Sequence, residues 1–299
     1  MTRVAALASI ALTVGAIAGC ARPAVSDVRT DGAEVYSDLV GRIYGTAEQR
    51  DAGKERQHYA WQAALGACMT SKGVPFTAPA WTPGSSTASA VSPGDVLAFS
   101  PRRDGYGIAG RVIDMAKDGP PGNAALDKLT GHARARWLKV QKECNPATTA
   151  TEEQHLSEGM IPLDTKFVPE LFAIQEELAP TLRSDYTACM AKAGLPGVQE
   201  LADAYGWATR KFPHQALAAD VKDPAAVQGF AEAAAFEKQV TAADWKCRGA
   251  ESTRVIAASG ARLSAWATAN RAEIDKVAVQ WAKMPAARDA AKARAMKIS

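Results

Sequence analysis

Four cysteines of the chain fall in an order that repeats. Cys68-Met69 is followed by Gly73-Val74-Pro75, and Cys189-Met190, 121 residues further on, by Gly194-Leu195-Pro196. Asp104-Gly105-Tyr106-Gly107 has a counterpart in Asp203-Ala204-Tyr205-Gly206, and each copy closes on a tryptophan and a cysteine: Trp137 with Cys144, Trp245 with Cys247. Self-similarity of this kind marks a duplicated structural unit. Tyrosine and closing cysteine are about 38 and 42 residues apart in the two copies, whereas opening cysteine and tyrosine are about 38 and 16 apart. The extra residues of the first copy fall in 77–100, whose proline, glycine and serine are the composition of a loop insertion. Four cysteines allow three connectivities. The economical one joins Cys68 to Cys144 and Cys189 to Cys247, one bridge per copy, and loop closure of this length stabilises by roughly 4 kcal/mol.

The material between the cysteines is helical in character. Alanine, which loses no side-chain entropy in a helix, makes up about a fifth of the chain, and runs of β-branched residues are scarce. Leu171, Ile174, Leu178, Leu182 and Cys189 recur at helical spacing, as do Trp61, Leu65, Cys68 and Met69. Gly73 and Gly194, each two residues before a proline, supply helix stops, and Pro180 starts or kinks a helix. After Cys247, the positions Leu263, Trp266, Ile274, Val277, Trp281 and Met284 share one face of a long helix with breaks at Gly260 and near Pro285. The expected class is mainly α: two tandem, disulfide-stapled helical domains related by internal duplication.

A fifth cysteine stands apart. Arg3 precedes an uncharged run, Val4 to Ala18, that ends in Ile17-Ala18-Gly19-Cys20. This is the layout of a signal peptide, and its run of about 15 residues is shorter than the roughly 20 needed to cross a bilayer. Ile17-Ala18-Gly19-Cys20 resembles the bacterial lipobox, with isoleucine where leucine is commoner. The resemblance implies that the Cys20 thiol is lipidated, that residues 1–19 are removed, and that the mature protein is anchored to the outer face of the cytoplasmic membrane. Two acyl chains hold firmly where one is marginal, since each buried methylene contributes about 0.8 kcal/mol. That compartment permits disulfides. With the tandem cysteine pattern, the chain resembles uncharacterised lipoproteins of high-GC Gram-positive bacteria, a resemblance that supplies no reaction. The expected organisation is a signal peptide over 1–19, a tether over 20–32, a first helical domain over 33–146 containing the insertion, a linker over 147–164, and a second domain over 165–299 ending in a basic tail.

The candidate chemistry is thin. Gly105-Tyr106-Gly107-Ile108-Ala109-Gly110 fits the dinucleotide pattern G-x-G-x-x-G, but Pro101, Arg102 and Arg103 take the place of a leading strand and the second copy lacks the later glycine. Asp104, Tyr106, Asp203 and Tyr205 have two readings. They are acids or ligands beside tyrosine hydroxyls in a cleft, or aspartates capping turns and tyrosines packing with their hydroxyls bonded; the second has the greater weight. His58, His132, His155 and His214 show no zinc spacing, and no nucleophile elbow, S-x-x-K or C-x-x-C occurs. Adjacent Glu176 and Glu177 point to different faces of a helix. The net charge of +3, from 35 basic and 32 acidic residues well mixed along the chain, suggests no nucleic-acid partner. Lys283, Arg288, Lys292, Arg294 and Lys297 make the C-terminal tail basic, either a solvated frayed end or a surface for anionic lipid or wall polymer.

The expected function is a membrane-anchored interaction or envelope-associated module without catalysis, cofactor or metal, with envelope proteins or wall polymers as partners. The alternatives are an envelope hydrolase using Asp104 or Asp203, and a small-ligand binder with a concave apolar pocket holding Trp207 or Trp266.

Overall fold

The computed structural model describes residues 31–81, 99, 101–103, 105–118, 124–145, 156–217, 221 and 223–298, with backbone alone at 114–118 and 124. Cys20, Asp104 and His155, the signal peptide, most of the tether and insertion, and the first part of the linker lie outside the described residues. Within them the chain is helical and contains no strand. In chain order the helices are α1 (Gly32–Tyr44), α2 (Ala47–Ser71), α3 (Ile108–Asp118), α4 (Ala124–Asp127), α5 (Gly131–Cys144), α6 (Met160–Leu178), α7 (Leu182–Lys192), α8 (Asp203–Arg210), α9 (Phe230–Ala258), α10 (Gly260–Ala269), α11 (Arg271–Ala282) and α12 (Met284–Ile298).

Local chemistry sets the boundaries. Asp31 accepts a hydrogen bond from the Ala33 N–H at the start of α1. Thr46 and Gln49 form a reciprocal capping box at the start of α2. The two Gly-x-Pro stops have the same geometry. Gly73 and Gly194 take φ of 68° and 82°. The N–H groups of Val74 and Leu195 return to the carbonyls of Met69 and Met190 at 3.0 and 2.9 Å. Pro180 lies in the break between α6 and α7, and the long helix expected after Cys247 is divided into α9 to α12.

Cys68 is bonded to Cys144 and Cys189 to Cys247, with Cα–Cα distances of 5.8 and 5.6 Å, the pairing expected from the sequence. The packing, however, does not follow the boundary at 147–164. One core joins Val35, Leu39 and Ile43 of α1, together with Phe99, Tyr106, Ile108 and Val112, to α6 through α11. The other joins Tyr59, Leu65 and Met69 of α2 to Trp137 and Val140 of α5 and to Ala291 and Ala295 of α12. Each core therefore draws on both halves, because the first half cannot cover the apolar face of α2 without the last helix of the chain.

Two close approaches fix this arrangement. A Cβ on Gly32 would fall 2.0 Å from the Ile256 carbonyl oxygen, so α1 begins where only a hydrogen fits against the end of α9. The Trp281 indole N–H donates to the Ile43 carbonyl at 2.8 Å, tying α11 to the end of α1. The basic tail is neither frayed nor fully solvated. Its helix, α12, lies along α2, with Arg288 and Lys292 at 3.7 and 3.6 Å from Glu55 and Lys292 over the Tyr59 ring. Alanine at 291 and 295 lets the two helices approach closely. No described helix is long and apolar enough to cross a membrane.

Candidate functional site

The tyrosines of the two Asp-x-Tyr-Gly copies meet edge to face, with ring centroids 5.6 Å apart. Arg111 holds the pair: one guanidinium nitrogen donates to the Tyr106 carbonyl at 2.8 Å and another to the Tyr205 hydroxyl at 3.0 Å. Asp203, first residue of α8, turns its carboxylate back to accept from the N–H groups of Gln199 and Glu200 at 3.0 and 2.9 Å. That carboxylate closes a turn.

Beneath the tyrosines lies a polar cluster built on one face of α9. Asp244 and Arg248, one helical turn apart, form a bidentate pair at 2.6 and 3.0 Å, with exposures of 0% and 2%. The Tyr186 hydroxyl donates to one Asp244 oxygen and the Tyr106 hydroxyl to the other, both at 2.8 Å. The guanidinium also lies over the Tyr186 ring at 5.3 Å. Burial, and then the Asp244 charge, push both phenols well above their ordinary value. Both remain proton donors. Asp244 thus accepts four hydrogen bonds in a buried setting, a satisfied network of the kind that specifies one packing arrangement.

Two turns earlier on the same face, buried Glu237 accepts from the N–H groups of Ile108 and Ala109 at 2.7 and 2.9 Å. These donors open α3 directly after the glycine-rich segment, where a pyrophosphate would have to bind. The protein's own carboxylate holds the position, so the G-x-G-x-x-G match is a helix cap.

The residues predicted from the sequence are therefore partly assembled. Tyr106 and Tyr205 come together, and Asp203 serves its own turn. Asp244, Arg248, Tyr186 and Glu237 complete the cluster and were not anticipated, because Glu237, Thr241, Asp244 and Arg248 make a polar stripe at helical spacing, the pattern of a solvated face, although all four are buried. Among the hollows lined by described residues are ones of about 740, 420 and 220 Å³, and neither Trp207 nor Trp266 lines these. Trp207 lies against Gly197 and beside Arg210, and Trp266 packs on Phe167 at 4.9 Å. No group of three or more His, Cys, Asp or Glu able to hold a metal ion occurs among the described residues. No family model matches the sequence, and neither a curated protein nor a solved structure matches it.

Proposed function

We propose that the chain is an extracytoplasmic lipoprotein, anchored to the membrane through lipidated Cys20, that serves as an interaction or envelope-associated module without catalysis. One observation carries this reading. Four of the five cysteines are spent in two bridges, which leaves Cys20, at the end of a lipobox-like segment, as the remaining thiol. Stable bridges call for an oxidising compartment. The cluster beneath Tyr106 and Tyr205 supports a structural role for these tyrosines, since its polar atoms are consumed by one another. The duplication belongs to the same proposal. Each copy is a cysteine-bearing helix, a left-handed glycine stop and a bridged second helix, and the two copies have exchanged packing elements.

The test is to express the full chain in a bacterium with lipoprotein-processing enzymes and feed it an alkyne-bearing palmitate. The wild-type chain takes up the label and sediments with membranes. Cys20→Ala loses the label. A wild-type chain that takes up no label, or a Cys20→Ala chain that is still labelled, would overturn the proposal.

A further inference from the structure

The hollow of about 740 Å³ lies where three separate parts of the chain meet: α2, the turn entering α6, and the joint between α11 and α12. Its volume falls within the range of sites that take small organic ligands. Its walls combine two chemistries. Leu156, Ile161, Met284 and Ala287 supply an apolar surface, on which Ile161 is 45% exposed. Arg56 and Lys283 supply positive charge. Glu158, the acidic residue in the wall, has its carboxylate 3.2 Å from Lys276, so its charge is countered from outside the hollow. Lys283 has no carboxylate partner in an ion pair among the described residues.

The Arg56 guanidinium lies against the thioether of Met284 at 3.7 Å. Burial pushes its pKa below the ordinary value, and the nearby charge of Arg294 adds to that. A negative group entering the hollow would act against both effects by favouring the charged guanidinium. The walls are also held in place without a ligand. Ser157 donates to the Val277 carbonyl at 2.9 Å, and Met284 is 3% exposed.

We propose that this hollow binds a small amphiphilic anion, with an acidic head, carboxylate or phosphate, at Arg56 and Lys283 and a hydrocarbon tail along Ile161, Leu156 and Met284. The site does not depend on the anchor at Cys20 and stands if that reading fails.

The test uses the full chain labelled with ¹³C at its methionine methyls, the Met284 signal being assigned through Met284→Leu. Decanoate, decyl phosphate, decanol and decyltrimethylammonium are titrated below micelle formation. Decanoate or decyl phosphate should shift the Met284 signal saturably, and the tighter of the two identifies the head. The neutral and cationic compounds should bind about tenfold more weakly or not at all. Lys283→Gln, on the surface and without a structural partner, should weaken the anion about fivefold, as expected for one exposed charge at contact distance. Arg56→Gln should weaken it at least as much, with helix content checked by circular dichroism. Equal binding of all four compounds, no movement of Met284, or undiminished affinity in Lys283→Gln would each overturn the proposal.

Discussion

Removing the Asp244 carboxylate should be among the most damaging single changes to the fold. Asp244 is fully buried and accepts bonds at 2.6, 2.8, 2.8 and 3.0 Å from Arg248, Tyr106 and Tyr186. In Asp244→Ala the guanidinium stays buried without its counter-charge, a loss of about 3–5 kcal/mol for pairs of this kind. Two phenol hydroxyls lose their acceptor as well, at about 1–3 kcal/mol for each left unsatisfied. A loss of at least about 4 kcal/mol is a large share of the roughly 5–15 kcal/mol that holds a domain folded. Arg248→Met leaves the carboxylate buried instead and should fall in the same range. The double variant Asp244→Ala/Arg248→Met buries no charge and strands only the two hydroxyls. It should therefore be more stable than the sum of the single losses implies, by about 2–3 kcal/mol. Urea unfolding at neutral pH with the bridges intact, followed by far-ultraviolet circular dichroism, measures all four corners of the cycle. Single losses below about 1 kcal/mol, or losses that simply add, would mean that Asp244 and Arg248 do not act as a coupled buried pair.

Further expectations follow from the same geometry. Tyr36, Tyr106 and Tyr186 have folded pKa values raised by burial, so above the unfolded value of about 10 the unfolded chain ionises first and stability falls as pH rises. Tyrosinate absorbance should show these three titrating only as the chain unfolds, and Tyr106→Phe should remove part of the alkaline loss. His58, whose ring nitrogen lies 3.0 Å from the Pro79 carbonyl, has its pKa held down chiefly by burial. Its contribution is present above about pH 6.5 and lost as pH falls below it, and His58→Gln should flatten the acid side of the urea-midpoint profile. Truncation after Met284 should open the core around Tyr59, Leu65 and Trp137, and Ala295→Arg should do the same by forcing a charge against α2; both should speed reduction of the Cys68–Cys144 bridge. Replacing Cys189 and Cys247 by serine opens a loop of sequence separation 58 and should lower stability by about 4 kcal/mol in urea unfolding.

The helices and their stops were legible because they depend on neighbours in the chain. Leu263, Ile274, Val277 and Trp281 keep helical spacing and are buried as that spacing implies, and the glycine stops need only a residue that tolerates positive φ. What could not be read depends on partners far away in sequence. Asp244 looks like any acidic residue of an exposed helix until Tyr106, 138 residues away, and Tyr186, 58 away, are placed against it. The tail misled for a different reason. Alanine contributes little to any hydrophobic pattern, so a helix that buries Ala291 and Ala295 between lysines and arginines has the sequence of a solvated end. Likewise the linker position implied two separate cores. Nothing local to α1 or α12 says that one packs with the second half and the other with the first.

Attachment to a membrane through Cys20 would be written in the mass of the mature N-terminal peptide. Protein purified from the membrane fraction of a processing-competent host would be digested without reduction and its N-terminal peptide analysed by tandem mass spectrometry. That peptide should begin at Cys20 and carry a thioether-linked diacylglyceryl group. A mature chain that begins elsewhere, or a Cys20 that is unmodified or disulfide-bonded, would contradict that attachment.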